Sequence, residues 1–201
     1  MRSLATLTLC LAALFGVTAD AHAQARTFAV DSKGGSKVQF VSDAPLETIT
    51  GVTNKLVGDI TVDLSSPGGA KATVDAPIKA IRTGNDLRDE HLHGDGWLDA
   101  AKFPKATFVV TSVSGLSKIE PNKGYEATVS GKFTIHGVTK NLKTKAKLRL
   151  VPGKGGKPDM LRVQASFTVN LEAHKVSVPS IVRLKVAKDI QVNVDLRAYA
   201  K

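Results

Sequence analysis

The chain has 201 residues, a formal charge of +10 and one cysteine, Cys10. A lone cysteine excludes a disulfide framework and a cysteine-built metal centre. The positive balance suits an anionic surface or acidic ligand; nucleic acid is disfavoured, because only 5% of residues are aromatic and single-strand binders stack bases on exposed rings.

At the N-terminus, Arg2 precedes an apolar run from Leu4 to Val17, and Ala21-His22-Ala23 forms an A-x-A site. This is the pattern of a secretory signal peptide. The run is too short to cross a bilayer. Cys10 lies inside it, after Leu9 rather than after a small residue, which argues against a lipid anchor. The expected organisation is a signal peptide over residues 1–23 and one domain over residues 24–201. Cleavage removes the cysteine and leaves the charge unchanged, because Arg2 and Asp20 cancel.

Strands are expected around residues 27–31, 36–42, 55–64 and 71–81. Residues 82–105 lack a period of two, and a short helical insertion is expected near residues 85–103. A further strand follows around 106–116. In residues 125–136, Tyr125, Ala127, Val129, Gly131, Phe133 and Ile135 share one face opposite Glu126, Thr128, Ser130, Lys132, Thr134 and His136. Gly137-Val138-Thr139-Lys140 separates this stretch from residues 141–150, where Leu142, Thr144, Ala146, Leu148 and Leu150 alternate with Lys143, Lys145, Lys147 and Arg149. The two predict an antiparallel hairpin. Alternation returns over 161–171 and 190–196. About nine strands joined by turns such as Ser66-Pro67-Gly68-Gly69 and Pro152-Gly153-Lys154-Gly155-Gly156 describe an all-β domain. A sandwich and an up-and-down barrel both satisfy this, and simple hairpin succession favours the barrel. Gly58, Ala76, Ala127, Gly131, Ala146 and Ala165 fall in register with the apolar faces. They predict either unfilled interior volume or close approach of neighbouring elements.

The densest chemistry is in residues 88–108. His91 and His93 stand among Asp89, Glu90, Asp95 and Asp99, followed by Trp97 and Phe103-Pro104. On a helix, positions i and i+2 point apart and cannot share a metal. The H-E-x-x-H motif is absent, and a third ligand would have to come from Asp95, His136 or His174. No G-x-S-x-G elbow occurs. Gly153-Lys154-Gly155-Gly156-Lys157-Pro158 lacks the phosphate-loop pattern and reads as a hairpin turn. The basic row Lys143, Lys145, Lys147 and Arg149 is a solvated strand face, or a contact with anionic lipid.

Asp86-Leu87-Arg88-Asp89-Glu90-His91-Leu92 and Phe103-Pro104-Lys105-Ala106-Thr107-Phe108 resemble the R-D-x-H-L and K-(F/Y)-P-x-(A/I)-x-F signature of YceI-like proteins. Val129 to Lys140 resembles that family's V-x-G-x-L-T-(I/L)-x-G-V-T-K element, and Gly58 to Asp63 its G-x-I-x-x-D strand. The family often carries a D-F-G turn near residues 167–180, where Leu171 to Pro179 stands here. The resemblance implies an antiparallel lipocalin-like β-barrel in the periplasm, binding polyisoprenoid or another long-chain amphiphile, with a homodimer as a possible assembly. No catalytic residue, metal or cofactor is expected; a polyisoprenoid or fatty-acid-like lipid is the expected ligand. Strand faces and resemblance together give a lining of Phe40, Ile60, Val62, Val74, Ile78, Trp97, Phe108, Tyr125, Val129, Phe133, Leu142, Leu148, Phe167 and Val192, with Trp97 and Phe103 plugging one end. The alternatives are a metal-assisted hydrolase or isomerase using His91 and His93, or a structural, stress-protective barrel filled by its own side chains. The exported product is expected to begin at Gln24. Its intact mass checks this, and a cytoplasmic product retaining residues 1–23 contradicts it.

Overall fold

The computed structural model describes residues 25–201; the expected signal peptide lies outside the described residues. Ten strand segments pair antiparallel throughout: β1 (Arg26–Val30), β2 (Lys37–Asp43), β3 (Thr48–Thr53), β4 (Val57–Val62), β5 (Lys71–Pro77), β6 (Lys105–Ser114), β7 (Gly124–Ile135), β8 (Val138–Val151), β9 (Met160–Asn170) and β10 (Asp189–Ala200). One helix, α1 (Asp86–His93), interrupts them between β5 and β6.

These ten segments occupy eight positions. β1 and β2 lie one after the other along β10, with Phe28 opposite Ala200 and Val38 opposite Val194. β4 and β3 lie in turn along β1 and β2. Each pair is one long strand with a break, and the order then runs through β5 to β10 and closes on β1 and β2. The result is an up-and-down eight-stranded barrel, so the expected fold holds. The first break is held by Asp31, whose carboxylate accepts the Lys33 and Gly35 N–H groups at 2.8 and 2.9 Å. The buried Ser36 hydroxyl donates to Arg197 O at 3.1 Å and accepts its N–H at 3.0 Å, carrying the ladder to β10 across the gap.

The expectation for local structure needs three corrections. β3 was not expected; its six residues alternate weakly around Gly51. The strand around 71–81 stops at Pro77, where a 3-10 turn over Ile78–Ala80 takes over. The hairpin between β7 and β8 turns on His136 and Gly137 alone, both at positive φ (51° and 72°), so Val138 to Lys140 already belong to β8. Two residues of positive φ form the tight turn whose twist matches its strands.

Two apolar clusters pack at the barrel's two ends. Phe28, Leu56, Leu150, Leu161 and Ala198 pack at one end; Ile78, Leu98, Val176, Val178 and Ile190 pack at the other, beneath α1 and residues 171–188. At the second end β8 parts from β9, since their pairing stops at Ala146 and Ala165. Buried His174 bridges the gap. Its Nδ1 donates to Val138 O at 3.0 Å, and its own carbonyl accepts from His136 Nδ1 at 3.3 Å. Burial holds the His174 imidazole below the usual histidine range, against the opposing pull of the Val138 carbonyl. The folded state therefore resists protonation that an unfolded chain accepts at about pH 6.5. Stability contributed by neutral His174 is present above that pH and lost as pH falls below it. Thermal melts from pH 7.5 to 5.5 should show a falling Tm, by roughly 2–4 °C per 1 kcal/mol lost. His174→Gln should flatten that fall; an unchanged slope contradicts the assignment.

Candidate functional site

The lumen between the two clusters is a cavity of about 620 Å3. Phe40, Ile60, Val62, Val74, Ile78, Trp97, Phe108, Val129, Phe133, Leu148, Phe167 and Val192 all line it. Tyr125 and Leu142 do not. Tyr125 packs into the closed-end cluster, where its hydroxyl accepts the Glu120 N–H at 3.0 Å; a phenol needs such a partner, and the lumen has none free. Leu142 lies on the stretch of β8 that has left β9. Phe103 also stays out of the lumen: its ring packs on Gly137 and, edge-on at 4.8 Å, on His136.

Small residues act in two ways. Ala76, Ala146 and Ala165 face the cavity and leave it open, the latter two directly opposite each other on β8 and β9. Ala127 is packed into the closed-end core instead, and Gly58 sits against the β5 backbone at Thr73. Gly131 and Gly51 let rings lie flat on the wall. A Cβ on Gly131 would stand 2.6 Å from the Phe108 ring and 2.5 Å from Val109 O, and one on Gly51 would meet the Phe40 ring. Without those glycines both phenylalanines would be driven into the lumen.

The serine and threonine hydroxyls in the lumen each make a hydrogen bond to the wall. Ser42 accepts from Ala187 N–H at 2.9 Å, Thr53 from Lys55 N–H at 3.2 Å, and Thr144 donates to Ser166 O at 2.8 Å. Among the described residues no buried side-chain nitrogen or oxygen lacks a partner. An occupant of the lumen thus finds mainly apolar surface, with these few hydroxyls each already engaged in a hydrogen bond to the wall.

Unlike the lumen, the mouth is polar. It is formed by Glu47 from the β2–β3 turn, by Thr83, Asn85, Arg88 and His91 on and before α1, and by Lys185. Sequence periodicity missed these residues because they come from three separate non-strand segments. Asn85 caps α1, its side chain accepting the Arg88 N–H at 2.9 Å. Arg88 in turn meets Glu47 across the opening at 2.7 Å. Buried Asp89 fastens the helix from below, accepting the Thr83 N–H and hydroxyl, each at 2.7 Å. Burial raises its pKa, but the Thr83 hydrogen bonds together with nearby Arg82 and His93 outweigh that and hold it below the usual carboxylate value. Arg82 itself exchanges backbone hydrogen bonds with Val52 of β3, at 2.8 and 2.9 Å. The lid is tied to the wall on both sides.

His91 and His93 diverge as the helical spacing requires. His91 faces the mouth, whereas His93 Nε2 meets Ile81 O at 3.1 Å. Among the described residues, no group of three or more His, Cys, Asp or Glu side chains is placed to hold a metal ion.

Residues 28–198 match the family model described as YceI-like domain. A UPF0312 protein of Shewanella sp. (strain ANA-3) is 33% identical over 140 residues, covering 68% of this chain and 70% of the relative. Among solved structures, BcnA of Burkholderia cenocepacia matches with a TM-score of 0.68 at 22% identity, over 84% of this chain and 99% of that one. A polyisoprenoid binding domain from Saccharophagus degradans, implicated in plant cell wall breakdown, matches with a TM-score of 0.68 at 17% identity, over 87% and 98%. At these identities the structural likeness establishes the barrel fold.

Gly131→Ala should lower the unfolding free energy by about 1–3 kcal/mol, the usual cost of forcing an extra methyl into a packed site. Urea unfolding reads it, and a wild-type midpoint contradicts the close approach of Phe108.

Proposed function

This chain belongs to the YceI-like family, and from that membership and its cavity we propose that it is an exported, non-catalytic binding protein holding a long-chain isoprenoid or similar amphiphilic lipid inside the barrel. The observation that carries this reading is a lumen of 620 Å3 lined almost entirely by apolar side chains, with its charged groups confined to one mouth. Such a site suits a molecule with an apolar tail and one polar end. The polyisoprenoid-binding description of the Saccharophagus degradans domain supports the ligand class. The tail enters first and the polar end stays near Glu47, Arg88, His91 and Lys185. The apolar run Leu4 to Val17 and the site ending at Ala23 support export to the periplasm.

Capacity follows from volume. With about 30 Å3 for each methylene-sized group, the share a water molecule takes of its liquid, 620 Å3 encloses roughly twenty carbon atoms. A longer chain leaves its remainder at the mouth.

Mass spectrometry of an organic extract of the purified protein tests the reading. It should release a long-chain lipid near one per barrel, and a consistently empty barrel sinks the proposal. Ala165→Phe, which projects a ring into the lumen from the wall that Ala165 shares with its β8 neighbour Ala146, should weaken lipid binding roughly tenfold, the equivalent of about 1.4 kcal/mol of steric cost. Wild-type affinity in a folded variant would move the binding site out of the barrel.

A further inference from the structure

The cavity mouth carries a rim that the fold leaves uncovered. Among the described residues, the most exposed large apolar side chains are Ile181 at 90%, Leu46 at 67%, Leu87 at 61% and Leu184 at 57%. They come from three distant segments that meet at the opening. Leu46 N–H donates to Leu184 O at 2.8 Å, joining the β2–β3 turn to residues 180–186. Leu87 lies on α1 beside Arg88, whose pairing with Glu47 joins the helix to the same turn.

Basic side chains outnumber acids on one side of this rim. Residues 173–188 contain Lys175, Arg183, Lys185 and Lys188 and no acid. Lys188 pairs with Glu172 at 3.0 Å, while Arg183 and Lys185 are exposed beside Ile181 and Leu184. Glu172 and Asp189 flank this run, Glu172 being paired with Lys188 and Asp189 with Asn170. Asp43 and Glu47 belong to the end of β2 and the β2–β3 turn, and Asp86 and Glu90 to α1, so Arg183 and Lys185, without an ion pair among the described residues, stand on the 173–188 side.

We propose that this rim is a docking surface for an anionic lipid bilayer, and that the barrel exchanges its ligand there. The exchange rests on the lipid-binding reading above; the docking does not. Apolar tips set among basic side chains suit the boundary between headgroups and acyl chains, where burial and attraction to anionic lipid act together. Docked mouth-down, the lumen opens toward the acyl layer, and a tail passes between them without exposure to water. A second copy of the chain is a poorer occupant. An isologous contact would set the cations of residues 173–188 against themselves and seal both mouths. The row Lys143, Lys145, Lys147 and Arg149 is exposed on the barrel wall but offers no apolar tip beside it.

Co-sedimentation of the mature protein with vesicles tests this. It should bind vesicles containing phosphatidylglycerol in a salt-sensitive way, and bind pure phosphatidylcholine roughly tenfold more weakly. Ile181→Asp/Leu184→Asp, at two exposed positions outside the cavity lining, should lose roughly tenfold in vesicle binding. Its uptake of a fluorescent fatty acid should stay as in the wild type. Lys143→Glu/Lys145→Glu should bind vesicles normally. Docking is overturned if the wild type ignores anionic vesicles or if the rim variant binds them like the wild type. It is also overturned if the wall variant loses binding, or if the rim variant instead dissociates a dimer. Loss of fatty-acid uptake in the wild type, with rim-dependent vesicle binding intact, removes the cavity reading and leaves docking standing.

Discussion

Closing eight antiparallel strand positions into a ring fixes a lumen, and something must fill it. In most small barrels inward side chains do so. Here Ala76, Ala146 and Ala165 leave the middle open, and Phe40 and Phe108 lie flat over glycines instead of reaching across. Water can enter through the mouth, but it meets apolar walls and hydroxyls that are already paired. The lumen's own chemistry therefore suits the apolar occupant proposed for it.

The rest of the structure serves that volume. Phe28, Leu56 and Leu150 seal one end with a packed core. At the other end the chain spends its irregular segments: α1, the turns that follow it, and residues 171–188. Asp89, one of the acids that suggested chemistry, anchors the helix, while Asn85 caps it and Arg88 ties it to the wall. Trp97, Leu92 and Leu98 turn the apolar underside of the same insertion toward the lumen. The insertion is a lid with a polar top and an apolar underside.

Much of this was legible from alternation. In β7 and β8 the period of two separates Val129, Phe133 and Leu148 from the lysines opposite them, and a closed barrel turns that face inward. Alternation states which face a residue occupies, but not how far along the barrel it lies. Tyr125 and Leu142 were misplaced for that reason: one sits in the sealed end, the other beyond the parting of β8 from β9. β3 escaped notice because Gly51 interrupts its pattern, and Gly51 is there to receive the Phe40 ring. The end that the insertion covers was foreseen, but the polar residues of the mouth were not. Glu47, Arg88 and Lys185 are far apart in sequence on segments with no period, and only closure of the barrel brings them together. The resemblance to YceI-like proteins supplied the ligand class, which residue pattern alone left open.

Trp97 is the only tryptophan in the chain, and it lines the cavity. Its fluorescence therefore reports on the lumen without any label. Titration of the delipidated protein with a brominated fatty acid, whose heavy atoms quench only at contact, tests most directly whether the barrel interior takes a lipid tail. Saturable quenching at one lipid per protein is the predicted result. A folded protein whose Trp97 emission stays unquenched at saturating lipid would contradict the account.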